Sequence, residues 1–336
     1  MKAMYCTEPF SLEMRDDDIG QVGPDDVVIE TSYCGICPWD IRAFSGKKKV
    51  PLPRVLGHEA SGRVAYTGEA VDDLPEGTRV VADFIEKCGV CALCRKGRSN
   101  KCMHPKYLKG GFAQYVKIPR KNVFPLQSTT SLKAAALTEP LACVVRGQKM
   151  LLPGPGKAAV VIGTGPIGLL HLQAASAWGA KTIAVDIIDE RLETARLLGA
   201  DYVAHSARDN LKDLVNTWTD GLGADAVVIT VPSTAAVSEG IELLAAGGRL
   251  NIFAGIYPQD NLVVDPNIIH YKEISILGSA DSTTEDFSEA LTLIESGLVK
   301  TEPLISHMVP LDRLHDGFDI VMNRGGMKVL AEISGG

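Results

Sequence analysis

Long apolar runs are missing from this 336-residue sequence: no uninterrupted stretch reaches the roughly 20 residues that a membrane-spanning helix needs. A secretory leader is missing as well. Met1-Lys2-Ala3-Met4 runs into mixed polar sequence with no apolar core segment, so the expected location is the cytoplasm, with no membrane partner. Positive charge is in deficit, with 34 Lys and Arg against 41 Asp and Glu and a formal net charge of -7. That balance argues against nucleic acid as a main partner and suits a soluble protein. Internal repeats, low-complexity tracts and flexible linkers are also lacking.

What remains is ordinary globular composition, 46% hydrophobic and 22% charged, in a chain long enough for two domains with sizeable cores. Residues 27–33, 60–66 and 77–82 are short β-branched runs between Gly, Pro and Asp turns, so the first 135 or so residues read as a small barrel-like domain. From about Thr138 the texture alternates. Strands are expected at 159–162, 182–186, 202–204, 226–231, 249–254 and 274–278, with amphipathic helices between them and Gly179, Gly199 and Gly247 at helix ends. Six strands with crossover helices make a doubly wound parallel sheet of α/β class. Helices at 284–296 and 314–322 and a last strand at 328–333 are expected to return to the first domain. The expected division is therefore 1–138 with 280–336, and 139–279.

The stretch from Val160 to Asp186 organises the second domain. It holds an apolar strand, the turn Gly163-Thr164-Gly165-Pro166-Ile167-Gly168, a helix, and a second strand ending in a carboxylate. Gly163 permits the tight turn, Gly165 lets backbone N–H groups approach a pyrophosphate, and Gly168 lets the helix pack closely on the strand. The helix N-terminus then faces the phosphates. Asp186, 18 residues past Gly168, is placed to accept hydrogen bonds from a ribose diol and to repel a ribose phosphate, which points to NAD. Pro166, Ile167, Arg191 and Val231 complete the expected cofactor set.

Eight cysteines are present, and six of them are grouped. Cys88, Cys91, Cys94 and Cys102 follow C-x-x-C-x-x-C-x7-C spacing, which can wrap four thiolates around one zinc ion. A closed set of four leaves no open coordination position, so this zinc should brace a loop. The alternatives are an iron-sulfur cluster, whose usual spacings differ, and free surface thiols. A second set is scattered: Cys37 in Y-C-G-I-C-P-W-D, His58 and Glu59 in G-H-E-A-S-G, and Glu139 in T-E-P-L-A. Three ligands with one exchangeable position suit a catalytic zinc, which polarises an alcohol or carbonyl oxygen. Cys34 and Cys37 could instead form a C-x-x-C redox pair.

In their order along the chain, G-I-C-x-x-D, G-H-E, the four-cysteine lobe, E-P-L, G-x-G-P-x-G and the late Ile269-His270-Tyr271-Lys272-Glu273 segment resemble one family over essentially the full length. It is the zinc-containing medium-chain dehydrogenase/reductase family, especially its sorbitol and polyol dehydrogenase branch. The resemblance implies a GroES-like β-barrel catalytic domain with a Rossmann NAD-binding domain, two zinc ions per chain, and a homodimer or homotetramer. It implies Cys37 and His58 as catalytic zinc ligands and Glu139 as the third. Glu59 matches a glutamate that can ligate directly or through water, and Asp40 an acid that steadies the histidine.

Trp39 departs from the pattern. Relatives carry Ser or Thr there to pass the substrate proton outward, whereas an indole N–H donates and cannot accept. Arg42 stands where alcohol dehydrogenases often have a relay histidine, leaving Glu59 with zinc-bound water as the candidate proton route. The resulting expectation is a zinc- and NAD-dependent dehydrogenase of a secondary alcohol in a polyol, cyclitol or sugar-like substrate. Rivals are reduction of an activated double bond, a sugar phosphate held by Lys47, Lys48 and Lys49, and a catalytically disabled dinucleotide-binding protein. Asp281, aligned with a substrate-binding arginine of sorbitol dehydrogenases, either caps the following helix or faces solvent, or else recognises an ammonium group on an amino-substituted substrate.

Overall fold

The computed structural model describes residues 1–334. These form two compact units, one made of residues 1–140, 283–296 and 300–334, the other of 141–282 and 297–299.

The first unit is built on antiparallel strands. Among the described residues, its main sheet runs in the order Val123–Pro125, Arg79–Asp83, Glu59–Thr67, Asp26–Gly35, Lys328–Glu332, Ile305–Pro310, with Tyr115–Pro119 also paired to Asp26–Gly35. Asp26–Gly35 is the hub, its burial almost continuous because it is covered on both faces. Lys2–Glu8, Ser11–Asp16 and Arg54–Val55 make a smaller sheet. These opening strands were not expected from the sequence, because K-A-M-Y-C-T-E lacks a clean alternation of apolar and polar residues. Phe44, Phe112 and Phe318 meet edge-to-face in the core, with ring centroids 5.0 and 5.9 Å apart. The last strand, Lys328–Glu332, runs antiparallel to Asp26–Gly35 with Leu330 opposite Gly35. It thereby brings the end of the chain beside the strand that leads into Cys37.

The second unit is a parallel sheet in the order Tyr202–His205, Lys181–Asp186, Ala158–Ile162, Ala224–Ile229, Leu244–Ile252, Ser275–Gly278. Taken in chain order the strands lie 3-2-1-4-5-6, the doubly wound arrangement, whose ligands bind beyond the carboxyl ends of the strands where the order reverses. Ala158–Ile162 is buried at every position, as a central parallel strand should be. The following helix, Pro166–Ala177, buries Leu169, Leu170 and Leu172 together with His171 and Gln173. Burial on nearly all sides explains its lack of a polar face. Two elements went unforeseen here: helix Pro266–Lys272, which is too short and exposed for a periodic signal, and the full length of helix Thr138–Leu151.

Candidate metal centres and dinucleotide turn

Helix Pro38–Phe44 begins with a reciprocal cap that also shapes the reactive centre. The Cys37 sulfur accepts from Trp39 N–H at 3.5 Å, and the Asp40 carboxylate accepts from Cys37 N–H at 3.0 Å. Asp40 is fully buried, and its other oxygen accepts from Gly57 N–H at 3.0 Å and lies 3.5 Å from His58 Nδ1. One carboxylate thus fixes both the turn of the cysteine and the ring of the histidine. Burial opposes protonation of His58, yet Asp40 and Cys37 outweigh it and lift its pKa well above the usual value. Burial likewise pushes the Cys37 thiol up, against the pull of His58. A cation taking the proton's place satisfies all three groups together.

Glu59 follows His58 at the start of strand Glu59–Thr67, facing Gly35 on one neighbouring strand and Asp83 on the other. The ligand atoms of Cys37, His58 and Glu59 all lie within 4.8 Å of one another. A soft sulfur, an imidazole and a carboxylate at this spacing fit zinc. Glu59 is buried, and its Oε2 pairs with the Lys328 ammonium. Glu139, in the first turn of helix Thr138–Leu151, is not part of that trio, but it feels the charges of His58, Glu59, Asp83 and Lys328. Burial, reinforced by the two neighbouring acids, raises its carboxyl to about 7.

Lys328 is the participant that sequence reading missed. Its ammonium is buried beside Glu59 and donates to Ile36 O at 3.2 Å. Gly35 makes room for the pair, because a Cβ there would meet Glu59 Oε2 at 2.0 Å and Lys328 Cε at 2.9 Å. The available signal was a lysine at the head of an otherwise apolar strand. Trp39 stands over the same centre, its ring perpendicular to His58 at 5.7 Å. Cys34 is turned away, packed beneath Gly57 and Gly111 with its thiol pushed up by burial, unlike a redox-active cysteine.

In the second lobe, the sulfurs of Cys88, Cys91, Cys94 and Cys102 also lie within 4.8 Å of one another. Backbone N–H groups aim at three of them: Cys88 N–H at Cys102 Sγ, Cys91 N–H at Cys88 Sγ, and Met103 N–H at Cys91 Sγ, at 3.3 to 3.5 Å. The Met103 and Cys94 N–H groups pull the Cys91 thiol down to about 6. Burial and adjoining thiols push Cys94 up to about 12. Four sulfurs this close become thiolates together when a metal compensates them, and the donor set fits a closed zinc site.

In the parallel-sheet unit, Gly163 has φ +95° and a Cβ there would strike Val231 and Thr230, while one on Gly168 would lie 1.8 Å from Gly163 O. Gly165 instead faces open space, with nothing within 4 Å of a Cβ, at the N-cap of helix Pro166–Ala177 whose first position is Pro166. Open space before unpaired helix N–H groups is what a pyrophosphate needs. Ile167 follows, half-buried. Asp186 is 7% exposed and accepts from Thr164, Ile187 and Ile188, with Arg191 Nη1 at 4.0 Å.

Asp281 lies just past strand Ser275–Gly278, exposed and with φ +58°. It does not cap the next helix. Thr283 does so, accepting from Asp286 N–H at 3.1 Å while the Asp286 carboxylate accepts from Thr283 N–H at 3.0 Å.

Comparison with known proteins identifies the family. The family profile described as alcohol dehydrogenase GroES-like domain matches residues 23–128, and that described as zinc-binding dehydrogenase matches 166–296. The chain is 32% identical to the L-threonine 3-dehydrogenase of Bacillus velezensis, over 96% of this chain and 95% of that one. It is also 32% identical to the sorbitol dehydrogenase of Halalkalibacterium halodurans, over 98% and 97%. A solved zinc-binding dehydrogenase of Sinorhizobium meliloti, bound to NADP, is similar with a TM-score of 0.91 and 28% identity over 98% of both chains. With a cysteine-histidine-glutamate centre in its antiparallel unit and a dinucleotide turn in its parallel one, the chain belongs to the zinc-dependent medium-chain dehydrogenase/reductase family, as an NAD(P)-linked alcohol dehydrogenase.

Proposed function

We propose that this enzyme interconverts a secondary alcohol of a polyol, cyclitol or sugar-like molecule and its ketone, with NAD as the hydride carrier. The observation that carries the reading is the convergence of Cys37, His58 and Glu59 within 4.8 Å. Zinc held there supplies Lewis-acid polarisation of the substrate oxygen, and nicotinamide supplies the hydride acceptor. The chain's own residues do the rest. Asp40 holds the His58 ring and the Cys37 turn in place, and Lys328 balances the charge of Glu59. Trp39 walls the site beside His58 and offers no proton acceptor, so Glu59 is the acid assigned to take the hydroxyl proton. Glu139 adds a further acid, as a ligand or near neighbour. The Cys88, Cys91, Cys94 and Cys102 set is assigned a second, structural zinc.

NAD is favoured over NADP because Asp186 places a carboxylate at the end of strand Lys181–Asp186, where a ribose phosphate would be repelled. Sorbitol oxidation by a relative supports a polyol. A second reading, an amino-substituted alcohol, is favoured by Asp281 together with the relative named for L-threonine. A homodimer or homotetramer is supported by strand Ser275–Gly278, which ends the parallel sheet with one edge unpaired among the described residues. Beside it, helix Pro266–Lys272 leaves Ile268, Ile269 and Tyr271 exposed. Metal-type cysteine spacing supports a reducing, cytoplasmic setting. A panel of polyols, cyclitols, amino alcohols and sugar phosphates, followed by NADH formation with purified zinc-loaded enzyme, tests the assignment. Turnover confined to simple primary alcohols overturns it.

A further inference from the structure

Asp186 is more firmly held than a carboxylate that merely waits for a ribose. Its Oδ2 accepts Thr164 N–H at 2.6 Å and the Thr164 hydroxyl at 3.0 Å. Its Oδ1 accepts the N–H groups of Ile187 and Ile188 at 2.7 and 3.1 Å. Four donors fix the orientation of this carboxylate, and its oxygens can share a further, bifurcated hydrogen bond with a ribose hydroxyl. Thr164 itself is fully buried between Gly163 and Gly165. It thus ties the residue that reads the ribose to the turn that cradles the pyrophosphate. Arg191 is the competing attraction: its Nη1 stands 4.0 Å from Oδ2, too far for a hydrogen bond, and the side chain is partly exposed.

We propose that Thr164 is a positioning residue for cofactor discrimination, its hydroxyl holding Asp186 toward the glycine turn and away from Arg191. This inference rests on the reading of Asp186 as the ribose-binding acid. Without the hydroxyl, Oδ2 keeps only the N–H of Thr164, and the pull of Arg191 on it is less opposed. The ribose diol then loses a fixed acceptor, and a 2′-phosphate meets a charge that can withdraw and pair elsewhere. The hydroxyl therefore matters for NADH and hardly at all for NADPH, a difference that simple support of the fold does not produce.

The test uses the whole zinc-loaded enzyme, with NADH and NADPH titrated separately by nucleotide fluorescence. Thr164→Val keeps the shape and removes the donor, Thr164→Ala is a second hydroxyl-free variant, and Thr164→Ser restores the hydroxyl. The hydroxyl-free variants are expected to bind NADH about tenfold more weakly, the scale of one hydrogen bond to a charged group. NADPH binding should stay the same or tighten, and Thr164→Ser should behave like the parent. Equal weakening of both cofactors, or no change in either, overturns the proposal. The parent's own preference separately tests the NAD reading, because the inference concerns the change from parent to variant.

Discussion

Lowering the pH from 7.5 to 5 should destabilise the parallel-sheet unit through one side chain, His171. This residue is fully buried in helix Pro166–Ala177, with Nδ1 2.8 Å from Gln148 Nε2 and its ring edge-on to Phe253 at 4.5 Å. Nε2 has no hydrogen-bond partner, so nothing rewards a second proton. Burial lowers its pKa from 6.5 to about 3. Between those values the unfolded chain binds a proton that the folded one refuses. The stabilising contribution is therefore complete above pH 6.5 and declines as pH falls. By pH 5 the loss should reach about 2 kcal/mol. Urea unfolding followed by tryptophan fluorescence is a suitable assay, because Trp178 and Trp218 both lie in that unit. His171→Gln keeps a polar side chain but cannot titrate, so its stability should fall less over the same interval. The candidate metal ligands lie in the other unit and contribute alike to both proteins. Parallel pH profiles for parent and variant would refute the argument.

Other expectations follow from the two metal centres. Cys37→Ser or His58→Ala should abolish turnover with the fold retained, whereas Cys91→Ser should mainly lower the melting temperature; metal analysis should find two zinc ions in the parent, and full activity in zinc-free protein would contradict the scheme. Gly35→Ala must displace Glu59 and Lys328, and turnover should drop about 100-fold with an unchanged circular dichroism spectrum; near-normal turnover would show that the pair is not needed. Lys328→Met leaves a buried carboxylate without its cation, which should cost about 3 kcal/mol in zinc-free protein and less when zinc is bound. Denaturation with and without zinc checks this, and equal losses would sever Glu59 from the metal. Asp281→Asn should erase any preference for amino over hydroxyl substrates, measured with matched pairs in the panel.

The two candidate metal centres were legible to different depths, and the reason is distance along the chain. Cys88, Cys91, Cys94 and Cys102 carry their geometry in their spacing, and the glycine turn carries its own in a strand, a turn and a helix. Cys37, His58 and Glu59 could be read as candidates from short motifs, but their convergence depends on the pairing of strands Asp26–Gly35 and Glu59–Thr67. Lys328 was invisible, because a lysine at the head of a late strand reads as a solvated end until that strand is docked. Thr164 was hidden for the opposite reason: flanked by two informative glycines, it looked like a spacer.

The return of strand Lys328–Glu332 to Asp26–Gly35 also sets an order on biosynthesis. A nascent chain emerges from its N-terminus and domains tend to fold as they appear, yet the unit begun first is the one finished last. Residues 141–282 can complete their sheet while Asp26–Gly35 still has an open edge and Glu59 still lacks its lysine. A ribosome that stalls between residues 282 and 328 releases a polypeptide with a complete parallel sheet, a Glu59 without its lysine and a bare strand edge prone to aberrant pairing. The late strand thus acts as a checkpoint, because Glu59 acquires its balancing cation only once Lys328 has been made and docked.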